Sequence, residues 1–137
     1  MRRMLLPNEE AEHAGEIDMY LTAAPDAAAV FVAQRPDGSL GGFVEVATRP
    51  WADGCASMPV AYIEAWYVDP DLRMHGVGRA LFAAAERWAM DAGFTEIGSD
   101  AETHNSASIA AHKALGYEEV LRIVCFRRTL ERRAEGG

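Results

Sequence analysis

The feature that most constrains this chain is a junction near its middle. Residues 60–68, Val-Ala-Tyr-Ile-Glu-Ala-Trp-Tyr-Val, are rich in β-branched and aromatic side chains, and residues 77–92 repeat apolar side chains at helical spacing. Between this strand pattern and this helix pattern lies Arg73-Met-His-Gly-Val-Gly-Arg79. Gly76 and Gly78 let the backbone turn tightly and aim several N–H groups at one point, where the positive end of the following helix adds its field. Such a loop is an anion cradle that fits a diphosphate. It lacks Gly-Lys-Ser/Thr, so it is not a nucleoside-triphosphate loop, and Leu81 stands where a dinucleotide fingerprint needs its third glycine.

Beyond the cradle, Val77, Leu81, Ala84, Ala85, Trp88, Ala89 and Ala92 form the buried face of the expected helix, and Gly93 stops it. Leu81 and Trp88 anchor it to the sheet, each contributing roughly 1.5–3 kcal/mol when buried. A short strand is expected over 95–99, followed by Asp100, and Ser106 is expected to cap a helix running to Leu115 and closed by Gly116. A strand-helix-strand unit of this kind crosses over right-handedly and binds ligands at the carboxyl ends of its parallel strands. Val68 and Asp100 fall at that edge.

The flanks are read the same way. Asn8 is expected to cap a helix over 9–21; residues 28–35 and 41–49 read as strands of a hairpin around Pro36-Asp-Gly-Ser39. Residues 50–59 form a loop carrying Trp51 and Asp53, where Trp51 is either an aromatic wall for a ligand or a cover over the core edge. Residues 119–129 alternate in part and have no turn signal, so they read as a long final strand with no hairpin partner. Such an edge pairs with another chain, and a homodimer is expected. With 137 residues, 50% of them hydrophobic, the chain can bury one core, and a single domain over 1–137 is expected, with its core at about 28–130.

Other features narrow the function. No apolar run reaches membrane-spanning length and no signal-like segment follows Met1, so a cytoplasmic protein without a membrane partner is expected. Cys55 and Cys125 lie far apart and make no metal-ligand spacing with His13, His75, His104 or His112; reduced thiols and no metal are expected. Thirteen basic against twenty-one acidic residues give a formal net charge of −8, which repels nucleic acid and favours cationic partners. Within 60–68, strict alternation places Tyr62, Glu64, Trp66 and Val68 on one face, unless a bulge interrupts it. Glu64 is the odd member, because a lone carboxylate among aromatics must keep water or find a cation.

Several stretches then act together. Pro59 to Val68, the loop from Arg73 to Arg79, Ser99-Asp100, Asn105-Ser-Ala-Ser108, Ala111-His-Lys-Ala-Leu-Gly-Tyr117 and Cys125-Phe-Arg-Arg128 resemble the aminoglycoside 6′-N-acetyltransferases of the GNAT superfamily, across most of 40–130. The resemblance implies an α/β fold with a mixed central sheet flanked by helices, with the family's first strand absent. It implies acetyl-coenzyme A as cosubstrate, with Trp66, Tyr67 and Val68 presenting backbone groups to pantetheine. The amides of Met74, His75, Gly76, Val77, Gly78 and Arg79 would bind the pyrophosphate and Asn105 would contact pantetheine. Glu64 and Asp100 would face an amino sugar, the product would be an acetylated amine, and a dimer is implied as well. Two departures stand out: Met4-Leu-Leu-Pro7 where a tryptophan is usual before the proline, and Ala65 in place of a more common glycine.

Chemistry asks for the same residue types. An ammonium has no lone pair, and with an unperturbed pKa of roughly 10 it must lose a proton before attacking a thioester. Asp100 is assigned mainly to binding the cation and Glu64 to acting as base or positioning a water, with Trp51 as a further acceptor contact. A strand N–H near Tyr67 or Val68 is placed to hold the oxyanion, and His112 to protonate the leaving thiolate. Arg73 and Arg79 are candidates to pair with phosphate oxygens. The expected activity is acetyl transfer to an aminoglycoside amine, the 6′-amine by resemblance, with resistance as its consequence. The alternatives are another polyamine or a protein amino group as acceptor, or a non-catalytic acyl-coenzyme A binding module.

Overall fold

The computed structural model of the chain describes residues 18–23 and 28–132. Within them β1 (Asp18–Ala23), β2 (Ala28–Gln34), β3 (Leu40–Arg49) and β4 (Val60–Val68) pair antiparallel in chain order. β5 (Ile97–Gly98) then joins β4 in parallel, giving a mixed sheet of order β1-β2-β3-β4-β5. The long crossover from β4 to β5 contains α1 (Val77–Asp91), and α2 (Ser106–Ala114) follows β5.

The core lies between the sheet and α1, as the helical apolar spacing requires. Met19, Phe31, Val44, Val46 and Ile63 from the sheet meet Val77, Leu81, Phe82 and Ala85 from the helix. Leu81 is fully buried, while Trp88 is partly buried and stacks on Phe94 at 6.2 Å. Phe82, which was not among the expected core positions, is also buried, with its ring edge-to-face with Trp66 at 5.1 Å. Its burial follows from the breadth of the covered face: α1 lies across β2, β3 and β4, so an adjacent position faces inward too.

The hairpin forms where turn chemistry placed it. Arg35 N–H donates to the Ser39 carbonyl at 2.7 Å and Gly38 takes φ 91°. The helix expected over 9–21 is corrected in its last turn: residues 18–21 belong to β1, with Asp18 opposite Gln34 and Leu21 opposite Phe31. Pairing with β2 overrides the loose helical spacing there and leaves Met19 completely buried. Residues 9–17 lie outside the described residues. The expected strand over 95–99 shortens to Ile97–Gly98.

The final strand is corrected as well. Residues 118–132 carry no regular secondary structure. A strand exists through its ladder, and no strand of the described chain lies beyond β5 to receive this segment. Its apolar side chains therefore face solvent, Val124 at 77% and Phe126 at 91% exposure. No helix among the described residues is long and apolar enough to cross a membrane.

Candidate active site

The site begins with a defect in β4. Glu45 of β3 faces Ala65 while Val46 faces Ile63, so Glu64 is an extra residue that the ladder skips. Such a bulge reverses the alternation. Ala61 and Ile63 belong to the main core before it, and Trp66 and Val68 pack on that same core after it. Val60 and Tyr62 instead form a small second cluster with Ala52. The single face expected to hold Tyr62, Glu64, Trp66 and Val68 is thus split, because the bulge re-aims the strand at Glu64.

Two places along β4 offer ligand chemistry. Towards its carboxyl end, β5 pairs only with Ala61 and Tyr62, so Trp66, Tyr67 and Val68 have no β5 partner. The start of α1 follows them in the chain. Met74 at φ 66° and Gly76 at φ 84° both take the left-handed conformation, and no side chain caps the helix. Its first N–H groups have no intrahelical acceptor. A Cβ on Gly78 would lie 3.7 Å from both Trp66 and Val68 side chains, so internal packing does not demand glycine there. These residues fit a diphosphate by its backbone donors. Both arginines are exposed and bond to backbone carbonyls: Arg73 Nε donates to the Val68 carbonyl at 2.9 Å, and Arg79 Nη2 to the Ala114 carbonyl at 3.3 Å.

The second place is a cleft of about 970 Å³ at the amino-terminal part of β4 and the end of β5. It is lined by Arg49, Tyr62, Ser99, Asp100 and His112, with Asp53, Glu86, Glu96, Glu102, Glu118 and Glu119 among its carboxylates. Tyr62 Oη donates to Asp100 Oδ2 at 2.7 Å. Burial and then that bond push the Tyr62 phenol up, which keeps it a proton donor. Arg49 Nε and Nη2 donate to Glu64 Oε1 and Oε2 at 2.7 and 2.6 Å, and its Cζ lies 3.6 Å from the centre of the Tyr62 ring. The Glu64 hydrogen bond holds the Arg49 guanidinium above its ordinary range. Glu64 is therefore paired through Arg49, a contact that sequence reading missed because the two stand fifteen positions apart on adjacent strands.

The loop over 50–59 is tied down by Glu96, whose carboxylate accepts from Ser57 N at 2.8 Å and Ala56 N at 3.0 Å. Trp51, on this loop, is 61% exposed and is not among the residues lining the cleft. His75 lies on the cradle side, apart from the cleft.

His112 joins the two places. Its ring meets Trp66, Phe82 and Tyr117 edge-to-face at 5.9, 5.7 and 5.8 Å. Nδ1 lies 2.7 Å from the Ser108 carbonyl, which accepts, so Nδ1 carries a proton, and Nε2 lies 2.8 Å from Ser99 Oγ. Asn105, not Ser106, caps α2: its side-chain oxygen accepts from Ser108 N at 3.1 Å. A ligand at the start of α1 and one in the acidic cleft would thus lie on either side of the Trp66–His112 contact. Among the described residues no group of three or more His, Cys, Asp or Glu side chains is arranged to hold a metal ion.

Residues 2–117 match the family model described as the acetyltransferase (GNAT) family. The chain is 48% identical over 122 residues to an aminoglycoside N(6')-acetyltransferase type 1 of Klebsiella aerogenes, covering 87% of this chain and 79% of the relative. It is 35% identical over 130 residues to the protein of the same name from Salmonella typhimurium, covering 93% and 88%. Among solved structures it resembles the aminoglycoside N-acetyltransferase AAC(6')-Iy in complex with CoA, with a TM-score of 0.73, 36% identity and coverage of 77% of this chain and 79% of the other. The apo crystal structure of the 6'-N-acetyltransferase AAC(6')-IG from Acinetobacter haemolyticus has a TM-score of 0.73 at 25% identity, covering 96% of this chain and 100% of the other.

Proposed function

The chain belongs to the GNAT acetyltransferase family, and from that premise we propose that it transfers the acetyl group of acetyl-coenzyme A to the 6′-amine of an aminoglycoside, with resistance as the consequence. The observation that carries the reading is the acidic cleft around Asp100, set beside the open helix start at Gly76 and joined to it through Trp66 and His112. An aminoglycoside carries several ammonium groups at neutral pH, and a cleft rich in carboxylates attracts such a ligand.

Each residue has a part in the reading. The amides from Met74 to Arg79 hold the pyrophosphate, and Trp66, Tyr67 and Val68, on the edge of β4 that β5 leaves uncovered, receive pantetheine. Arg73 and Arg79, which bond to the carbonyls of Val68 and Ala114, serve the loop's shape more than the phosphates. Asn105 acts there as the cap of α2. Asp100 binds the acceptor ammonium, held in place by the Tyr62 hydroxyl. Glu64 orients a water that removes the first proton and passes it to solvent. As nitrogen bonds to the acetyl carbon, an N–H near Tyr67 or Val68 donates to the oxyanion. Collapse breaks the carbon–sulfur bond, and a second nitrogen proton reaches the thiolate by way of the His112–Ser99 pair while the third stays on the amide, so atoms and charge balance.

The exposed apolar side chains of residues 118–132 support a homodimer, with this segment completing a sheet across two copies. A cytoplasmic site of action fits free thiols at Cys55 and Cys125. The test is thiol release from acetyl-coenzyme A with kanamycin, spermidine and a lysine peptide as acceptors, with products identified by mass spectrometry. A singly acetylated kanamycin is expected. Release with spermidine or peptide and none with any aminoglycoside overturns the acceptor assignment, and no release with any amine overturns the enzymatic reading.

A further inference from the structure

Arg49 is the residue of the cleft that the transfer chemistry leaves without a task. It ends β3, opposite Val60, and its guanidinium reaches across to the bulged Glu64 with two parallel bonds of 2.7 and 2.6 Å. A fork of this kind satisfies both carboxylate oxygens at once and fixes the pair's geometry. The same guanidinium lies over the Tyr62 ring, with Cζ 3.6 Å from its centre, and the Tyr62 hydroxyl ends on Asp100 at 2.7 Å. One cation is therefore connected to both carboxylates assigned to the acceptor. Arg49 lines the cleft, whereas Glu64 is not among its lining residues, so the cleft meets this pair through Arg49.

The other lining cations differ. Lys113 and Arg122 both pair with Glu119, on the segment that leaves α2. Arg49 alone of these three joins Glu64 and stacks on the tyrosine that holds Asp100. The pair is partly exposed, with side chains 37% and 32% accessible for Arg49 and Glu64. Solvent screening offsets part of what the fork supplies, so a competing cation can open the pair.

We infer that Arg49 is a specificity-determining residue, a tethered cation that fills the Glu64 position until an acceptor amine displaces it. An acceptor with one ammonium must give up binding energy to open the pair. An acceptor with several ammonium groups has other anchors, at Asp100 and the acidic rim, and opens the pair with energy gained elsewhere. Arg49 thereby excludes small monoamines and favours polycations without touching the acetyl donor. This inference rests on the acceptor reading of the cleft.

The experiment compares wild type, Arg49→Gln and Arg49→Lys with two acceptors: 6-amino-6-deoxyglucose, which has one ammonium, and kanamycin, which has several. In Arg49→Gln the KM for the monoamine should fall about fivefold, the upper end of what an exposed ion pair supplies. The KM for kanamycin should change less, and that for acetyl-coenzyme A should not move. Lysine keeps the charge but loses the fork and the stacking, so Arg49→Lys should lower the monoamine KM in the same direction by a smaller factor. It carries the test if the glutamine variant does not fold. A separate readout is the Arg49 Nε–H resonance in the wild type with coenzyme A bound, which should move when kanamycin is added. A monoamine KM that stays the same or rises in the folded variants, or an Nε–H resonance that kanamycin leaves in place, overturns the role of Arg49. If wild type acetylates kanamycin and these results fail, only Arg49 loses its role; if wild type acetylates neither acceptor, the acceptor reading itself falls.

Discussion

Replacing Asp100 by asparagine isolates the charge on which the proposed acceptor binding rests. The carboxylate sits just past β5, where Oδ2 accepts the Tyr62 hydroxyl at 2.7 Å. The amide oxygen of asparagine can accept the same bond, so the substitution keeps the shape and removes the anion. A hydrogen bond to a charged group is worth roughly 1.5–3 kcal/mol. Asp100 is exposed, so solvent screening places the loss at the lower end, about 1.5 kcal/mol, or slightly more than tenfold in acceptor affinity. Steady-state kinetics by thiol release should show acceptor KM rising by about that factor while the KM for acetyl-coenzyme A holds, because the donor site lies across Trp66 from this carboxylate. Added salt should raise the wild-type KM more than the variant's, since the lost attraction is the screened part. Tyr62→Phe supplies the control: it removes the donor but not the anion, so its effect on KM should be smaller, and the double variant should show coupling between the two. An acceptor KM within about twofold of wild type at low salt, in a folded Asp100→Asn protein, refutes the assignment.

Gly76 at φ 84° should tolerate no side chain well: Gly76→Ala should lose about 1–2 kcal/mol of stability in a denaturant melt, whereas Gly78→Ala, with room at 3.7 Å, should fold normally and bind coenzyme A more weakly by calorimetry. Light scattering should report a dimer, and the double variant Val124→Glu, Phe126→Glu should shift it to monomer, while a wild-type monomer at every concentration would reject pairing through residues 118–132. Hydrogen bonds from Ser57, its backbone N–H first and then its side chain, and then from the Ala56 N–H lower the Glu96 carboxyl below its ordinary range. Its contribution to stability is therefore present above the ordinary glutamate pKa of about 4.3 and is lost as pH falls through the lower folded value; Glu96→Gln should flatten the acid limb of a melting-temperature curve, and an unchanged limb would show that the loop over 50–59 does not depend on this anchor.

Local pattern carried much of this fold. The strand over 60–68, the helix from Val77 and the hairpin turn at Pro36–Ser39 each depend on side chains within a few positions of one another, so periodicity and turn chemistry were enough to place them. The glycines of the cradle were legible for the same reason, since a left-handed φ at Gly76 is a demand of its own turn. Asp100 and Glu64 could be proposed as site residues because the resemblance sets them toward an amino sugar and amine acetylation calls for carboxylates, and His112 because the leaving thiolate calls for a proton donor.

What the chain could not reveal one window at a time was pairing. Residues 18–21 become strand because β2 offers them a ladder, and residues 118–132 are not strand because no strand among the described residues offers them one. The bulge at Glu64 exists only in the register between β3 and β4, and it decides which residues face the core. The bond from Tyr62 to Asp100 spans 38 positions and the fork from Arg49 to Glu64 spans 15, so neither leaves a local signature. Side-chain periodicity reports the conformation of a segment, but hydrogen bonds and ion pairs between segments depend on how those segments are brought together. The residue types of the site were therefore set by the sequence, while the partner of each charge was decided by the tertiary structure.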